Sequence, residues 1–210
     1  MVPLKKLRGS NCILTPPHPE DAPTWAQWLN DMEVAVPLGD EAYQSITPAN
    51  QLEFIEEISA KDLPWFSIRS ADGKELLGRC GLFAIDHVDR SAMCGIFVGN
   101  KDAWGKGIGF EAMQLLLDYA FHLLNLHSVM LGVFEFNQRA LQLYRKLGFQ
   151  EIGRRRQARI IGQKAYDVVL MDMLDEEFGP SRILSGATGA LPTKQGKDVR
   201  SLPLFSNGTE

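Results

Sequence analysis

From Trp104 to Phe110 the chain reads Trp-Gly-Lys-Gly-Ile-Gly-Phe, with glycine at every second position. Alternating glycine weakens any regular element, because glycine loses the most backbone freedom on ordering. The stretch behind it is helical, since Ala112, Leu115, Leu116, Tyr119, Ala120 and Leu123 recur at helical spacing. The stretch before it is strand-like. Gly105, Gly107 and Gly109 therefore mark a hand-over from sheet to helix through an irregular backbone. Successive N–H groups in such a turn form an anion-binding concavity. A helix starting near Phe110 adds its own unpaired N–H groups and its dipole. A phosphate suits this place.

Such a turn has two rival uses. Gly107-x-Gly109-x-x-Ala112 fits the dinucleotide pattern, with Glu135 at the end of the next strand. That fingerprint, however, follows its strand directly in a parallel sheet, whereas about eight residues separate Gly99 from Gly107. A G-x-x-x-x-G-K-[ST] loop is absent. A plain connecting loop that merely tolerates glycine is the remaining possibility.

The order of elements narrows the fold. Residues 8–15 read as a first strand. Residues 16–31 start a helix with prolines at its entry, where a missing N–H costs little. Residues 47–60 form a second helix, capped by Thr47 with Pro48 in the first position. The segment between these helices reads as loop. Two apolar runs around Asp72-Gly73 make a hairpin, and residues 91–99 supply a third run, so an antiparallel meander is expected. After the glycine loop and its helix, residues 127–136 are strand-like. Residues 137–149 form a short helix with Ala140, Leu143, Tyr144 and Leu147 on one stripe and Gly148 as its stop. Residues 149–160 and 163–174 form a last strand pair around Gly162.

The pattern ends at Gly179. Residues 179–210 are rich in Gly, Ser, Pro and Thr without periodicity, and read as a flexible tail. The alternative is an arm that packs on a second copy through Leu202, Leu204 and Phe205, making a homodimer.

Composition excludes several classes. Of 210 residues 45% are hydrophobic and 23% charged, ordinary values for a globular domain. A net charge of -4 argues against a nucleic-acid partner, which calls for a basic footprint. Cys12, Cys80 and Cys94 are scattered, and the four histidines lack ligand spacing, so neither a disulfide framework nor a metal is expected. The N-terminus has no apolar core of a signal peptide, and no apolar run has membrane-spanning length. A cytoplasmic setting without a membrane partner is expected.

Two motifs together carry a resemblance. Trp104-Gly105-Lys106-Gly107-Ile108-Gly109 resembles the [QR]-x-x-G-x-[GA] loop of the GNAT superfamily of acyl-CoA-dependent N-acyltransferases, with Trp104 in place of Gln or Arg. The pattern N-x-R-A-x-x-x-Y-x-K-x-G-F stands intact from Asn137 to Phe149. The chain is similar to this superfamily over residues 7–178, nearest the branch of ribosomal-protein N-terminal acetyltransferases. The resemblance implies an α+β fold: a mostly antiparallel sheet of about seven strands with splayed central strands, flanked by helices. It implies acetyl-CoA as cosubstrate and, as acceptor, a small-molecule amine or a peptide N-terminus.

It also implies roles for particular residues. The loop Trp104, Gly105, Lys106, Gly107, Ile108, Gly109 and Phe110 would take the CoA pyrophosphate. Backbone groups of Ile96, Phe97 and Val98 would pair with pantetheine as an added strand. Asn137 would place its amide near the thioester, or serve as a helix N-cap, or both. Tyr144 would protonate the departing thiolate, unless it is a core tyrosine. Related proteins often carry a glutamate where Met93 and Cys94 stand, so the base is unassigned among Glu135, Asp86, His87 and water. Glu111 reads as a helix-dipole partner. Lys106 and Lys146 are candidate phosphate partners, and the arginines at 154–156 and 159 read as a solvated edge. Trp25, Trp28, Asp31, Glu33, Asp40 and Glu41 fall in the acceptor region. A non-catalytic acyl-CoA sensor is the rival function.

Overall fold

A computed structural model describes residues 6–188. Eight strands form one sheet in the order β1-β2-β3-β4-β5-β6-β8-β7. These are β1 (Leu7–Arg8), β2 (Cys12–Thr15), β3 (Trp65–Ser70), β4 (Leu76–Asp86), β5 (Ser91–Val98), β6 (Ser128–Phe134), β7 (Gln150–Ile161) and β8 (Lys164–Leu174). The expected meander is β3-β4-β5, antiparallel throughout. Helices α1 (Ala22–Leu29), α2 (Met32–Leu38) and α3 (Pro48–Ala60) precede it, while α4 (Ile108–Asp118), α5 (Gln138–Leu147) and α6 (Arg182–Thr188) come later.

The sheet is a layer between two sets of helices. Side chains of Cys80, Cys94, Val129 and Met171 meet Met113, Leu116, Leu141 and Tyr144 from α4 and α5 in the main core. Phe97 points the other way, against Leu29 of α1 and Val34 of α2. This is the period-two alternation of a strand buried on both faces.

One feature of the sheet creates the site. β5 and β6 run parallel, but they pair only at Ser91–Met93 against Ser128–Met130. Beyond Met93 they part, and the sheet opens into a cleft. The expected splay is therefore present, with its apex at Met93 and Met130.

The structure corrects four local expectations. The first strand is a hairpin, β1 against β2, turning at Gly9 to Asn11. Glu111 does not act as a mere dipole partner: its carboxylate accepts backbone N–H bonds from Ser10 and Asn11 at 2.7 Å and from Cys12 at 2.9 Å. A Cβ on Gly9 would lie 2.6 Å from Glu111 Cδ, so a larger residue there would push the carboxylate out of its clasp. The segment read as loop contains α2, started by Asp31, whose side chain accepts from Glu33 N. And α6 lies inside the stretch read as a tail: the buried Asp118 carboxylate accepts from Arg182 N at 2.8 Å and Ile183 N at 3.0 Å. The rest of that stretch, with Leu202, Leu204 and Phe205 and the expected dimer arm, lies outside the described residues.

The Glu111 clasp yields a stability prediction. Burial works to raise its pKa, but the three backbone donors outweigh burial and hold the carboxyl below its usual 4.5. A group depressed in the folded state stabilises it above the unfolded pKa and loses that contribution as pH falls through the folded value. Glu111→Gln is expected to cost about 1–3 kcal/mol at neutral pH. The difference from wild type should shrink as pH drops below the ordinary glutamate range. Thermal melts of both proteins between neutral and acid pH check this, and a gap that is independent of pH refutes it.

Candidate active site

The cleft between β5 and β6 has a volume of about 1450 Å³. Its floor is the opened sheet. Its walls are the loop after β5, the face of α5, and the segment from α2 to Glu41. Of the residues expected to hold CoA or act on the thioester, all line it except Lys106; of the expected acceptor residues, Glu33, Asp40 and Glu41 line it, and Trp25, Trp28 and Asp31 do not. Lys106 is exposed and borders a separate hollow of about 180 Å³ with Asn11 and Asp102.

At one end lies the glycine loop. Gly105 has φ +75° and Gly107 φ +80°, a region that side-chain-bearing residues rarely adopt. A Cβ on either would meet nothing within 4 Å, so backbone conformation, not packing within the chain, demands glycine. Gly107 is the N-cap of α4 and offers no side chain to the first turn. The N–H groups of Ile108, Gly109 and Phe110 are thus the orphan donors of that helix. Gly109 differs: its Cβ would make ordinary 3.7 Å contacts with Leu143 and Val98. Two of the three glycines shape the turn, and the third belongs to the helix.

Trp104 anchors this loop. Its Nε1–H donates to Val98 O at 2.7 Å, tying the loop to the end of β5. The Arg139 guanidinium stacks 4.2 Å from its ring, and Lys146 Nζ lies 4.8 Å from the Phe110 ring. Two cations therefore flank the helix N-terminus from α5. Lys146 was expected from the sequence; Arg139 was not.

Along β5 the backbone divides. Gly99 N donates to Leu77 O, and Arg79 pairs with Phe97. Antiparallel alternation then turns the Phe97 backbone toward β4 and the Ile96 and Val98 backbones toward the cleft. An extended ligand in the gap meets Ile96 and Val98, not the Phe97 main chain. Of these groups the Val98 carbonyl is already engaged by Trp104.

Deeper in, α5 presents Asn137 and Tyr144. Asn137 is the N-cap: its Oδ1 accepts from Ala140 N at 3.1 Å, and its Nδ2 donates to Pro37 O at 3.2 Å. Both ends of the amide are engaged inside the chain, and they tie α5 to α2 across the cleft. Tyr144 is buried, packs edge-on against Phe149 and makes no hydrogen bond among the described residues. Burial, with a smaller push from Cys94, raises its pKa well above the ordinary phenol. Its hydroxyl therefore stays protonated across neutral pH.

Residues 11–150 match the family model of the acetyltransferase (GNAT) domain. The chain belongs to the GNAT family. It is an acetyl-CoA-dependent N-acetyltransferase. An uncharacterized N-acetyltransferase, p20, of Bacillus licheniformis is 30% identical over 161 residues, covering 76% of this chain and 90% of that protein. A crystal structure of the Vibrio cholerae spermidine N-acetyltransferase, in complex with CoA and spermine, superposes with TM-score 0.73 at 25% identity, over 80% of this chain and 98% of that one. The ribosomal-protein-S5-alanine acetyltransferase of Vibrio fischeri shares the fold, with TM-score 0.69 at 19% identity, over 83% and 98%.

For a GNAT acetyltransferase the base matters next. Glu135, Asp86 and His87 do not line the cleft. Glu135 accepts from Asp167 N at 2.9 Å, and Asp86 accepts from Val88 N and Asp89 N in its own turn. Met93 and Cys94, the β5 positions where the resemblance would place a glutamate, both line the cleft, and Cys94 is buried. Burial pushes its thiol up to about 12 against a backbone hydrogen bond, so it is neither base nor thiolate near neutrality. The carboxylates that do line the cleft are Glu33, Asp40 and Glu41. Glu33 pairs with Lys101 and Asp40 with Arg159 at 2.8 Å. Glu41 has no ion pair among the described residues.

Arg159 overturns the solvated-edge expectation. It is only 8% exposed, bonds Asp40 and Gly39 O, and stacks on Tyr43 and Phe134. Tyr43 OH also donates to Ile160 O at 2.8 Å. These contacts strap the end of α2 to β7 over the cleft. No local pattern reveals this, because the partners Asp40 and Gly39 lie about 120 residues away in the chain; β7 is also bulged. It runs from Arg155 to Arg159 while β8 runs only from Val168 to Tyr166, with Gln157 at φ +52°. Among the described residues no cluster of His, Cys, Asp or Glu forms a metal site, and no helix is long and apolar enough to cross a membrane.

Proposed function

We propose that the protein acetylates a primary amine by direct attack on acetyl-CoA in a ternary complex. The observation that carries this is the buried, hydrogen-bond-free Tyr144 phenol lining a cleft whose far end is the glycine loop. The loop from Trp104 to Phe110 receives the pyrophosphate on backbone N–H groups, with Arg139 and Lys146 beside it. Ile96 and Val98 hold the pantetheine as an added strand, and the thioester then lies near the splay apex. The lone pair of the neutral amine forms a bond to the thioester carbonyl carbon. The C–S bond breaks as the tetrahedral intermediate collapses, and sulfur leaves as a thiolate. Tyr144 hands that thiolate its phenolic proton. The proton released by the amine nitrogen returns to the phenolate through water. Asn137 acts as a positioning residue that holds α5, and Tyr144 with it, against α2. The acceptor enters past α2, where Glu41 lines the cleft and its carboxylate meets an ammonium.

The spermidine and ribosomal-protein acetyltransferases named above support an amine acceptor of some kind. The expected result is release of free thiol from acetyl-CoA with at least one class in a panel of polyamines, amino acids, amino sugars and peptide N-termini. A panel that binds acetyl-CoA but never accelerates thiol release would refute the transfer and leave the sensor.

A further inference from the structure

Arg79, on β4, lines the acceptor side of the cleft. It is 8% exposed, yet it makes no ion pair among the described residues. Arg69 and Arg159, the arginines most comparable to it, are paired with Asp21 and Asp40. Nη1 of Arg79 donates to the buried Gln51 Oε1 at 2.8 Å. The rings of Trp25, Phe54, Trp65 and Phe97 surround its guanidinium carbon, with centroids between 4.6 and 5.6 Å away. Aromatic faces stabilise a cation but accept no directed in-plane hydrogen bonds. Most of the guanidinium donors therefore have no acceptor among the described residues, and none of them is sealed away from the cleft that Arg79 lines. Burial pulls the Arg79 pKa down to about 10 against the field of Glu41, so the charge persists at neutral pH.

Resting on the acetyl transfer proposed above, we propose that Arg79 receives a carboxylate carried by the acceptor, which is an amino-acid-like amine and not a polyamine. The guanidinium fork matches a carboxylate in shape and charge. Glu41 lines the same cleft and offers an anion to the ammonium. Phe54, Trp65 and Phe83 line it too, so the acceptor carries an apolar side chain. A polyamine would set a second ammonium against Arg79.

The test uses the full chain, α-amino acids with apolar side chains, their α-carboxamides, and spermidine. Thiol release and calorimetric binding to the CoA-saturated protein are both read. Wild type is expected to prefer each acid over its amide by about 10–10²-fold in kcat/KM, mostly through KM. Arg79→Gln should bring that ratio near one without changing the affinity for acetyl-CoA, and Arg79→Lys should restore part of it. Circular dichroism checks folding, and the wild-type ratio needs no variant. An acid-to-amide ratio near one in wild type, a ratio that survives Arg79→Gln, or turnover of spermidine but of no amino acid overturns the proposal. Arg79-dependent binding of amino acids without thiol release would keep this proposal and remove the transfer. Neither binding nor turnover of any amino acid overturns it as well.

Discussion

Gly107→Val is expected to give a folded protein that has lost most of its affinity for acetyl-CoA. Gly107 sits at φ +80° and ψ 0° as the N-cap of α4. Holding a side-chain-bearing residue there costs about 1–3 kcal/mol, and a β-branched residue stands at the upper end. The new side chain meets nothing inside the chain, because an added Cβ finds open space within 4 Å. It projects into open space at the N-cap, next to the N–H groups of the helix N-terminus that the pyrophosphate would use. Either relaxing the turn or obstructing it removes those donors, and a loss of about 3 kcal/mol is about 10²-fold in affinity. Gly109→Ala is the control: its Cβ makes 3.7 Å contacts only, and its φ is not positive. Calorimetry with acetyl-CoA should show a large loss for Gly107→Val and a small one for Gly109→Ala. Unchanged binding in a folded Gly107→Val protein refutes the phosphate role of the loop.

The contrast between these glycines shows what the sequence could and could not disclose. Alternation singled out all three, but only backbone angles separate the two that make the turn from the one inside the helix. The meander, α5 with its Gly148 stop at φ +107°, and the β7-β8 hairpin were legible because each carries its own period and its own turn residue. The helix α2 was not. It is short, carries Pro37 inside, and is held by contacts distant in sequence, among them Asn137 to Pro37 O. Arg159 was hidden because its partners, Asp40 and Gly39, lie about 120 residues away in the chain. Glu111 looked like a local dipole partner because nothing near it in sequence reveals the hairpin turn about a hundred residues away that it clasps. Arg79 gave no sequence signal at all, since its aromatic surroundings come from α1, α3, β3 and β5.

Tyr144→Phe is expected to abolish most turnover while leaving acetyl-CoA affinity and thermal stability near wild type. The ring packs against Phe149 and into the main core, and phenylalanine keeps that packing. The hydroxyl makes no hydrogen bond among the described residues, so its removal leaves no partner stranded. What disappears is a proton donor beside the point where β5 and β6 part. A positioned general acid contributes ~10²–10⁴ in rate, and kcat should fall by that order. Burial raises the phenol pKa, so wild type should show no loss of the acid form through neutral and mildly alkaline pH. The deficit of Tyr144→Phe should then be constant over that range. Leaving-group chemistry adds a sharper check. An acyl donor whose thiol is more acidic than CoA needs less help to depart, so the deficit should shrink with such a donor. A Tyr144→Phe enzyme that turns over near the wild-type rate with its true acceptor shows that the thiolate takes its proton from water. A deficit equal for both donors shows that the phenol positions the thioester without protonating the sulfur.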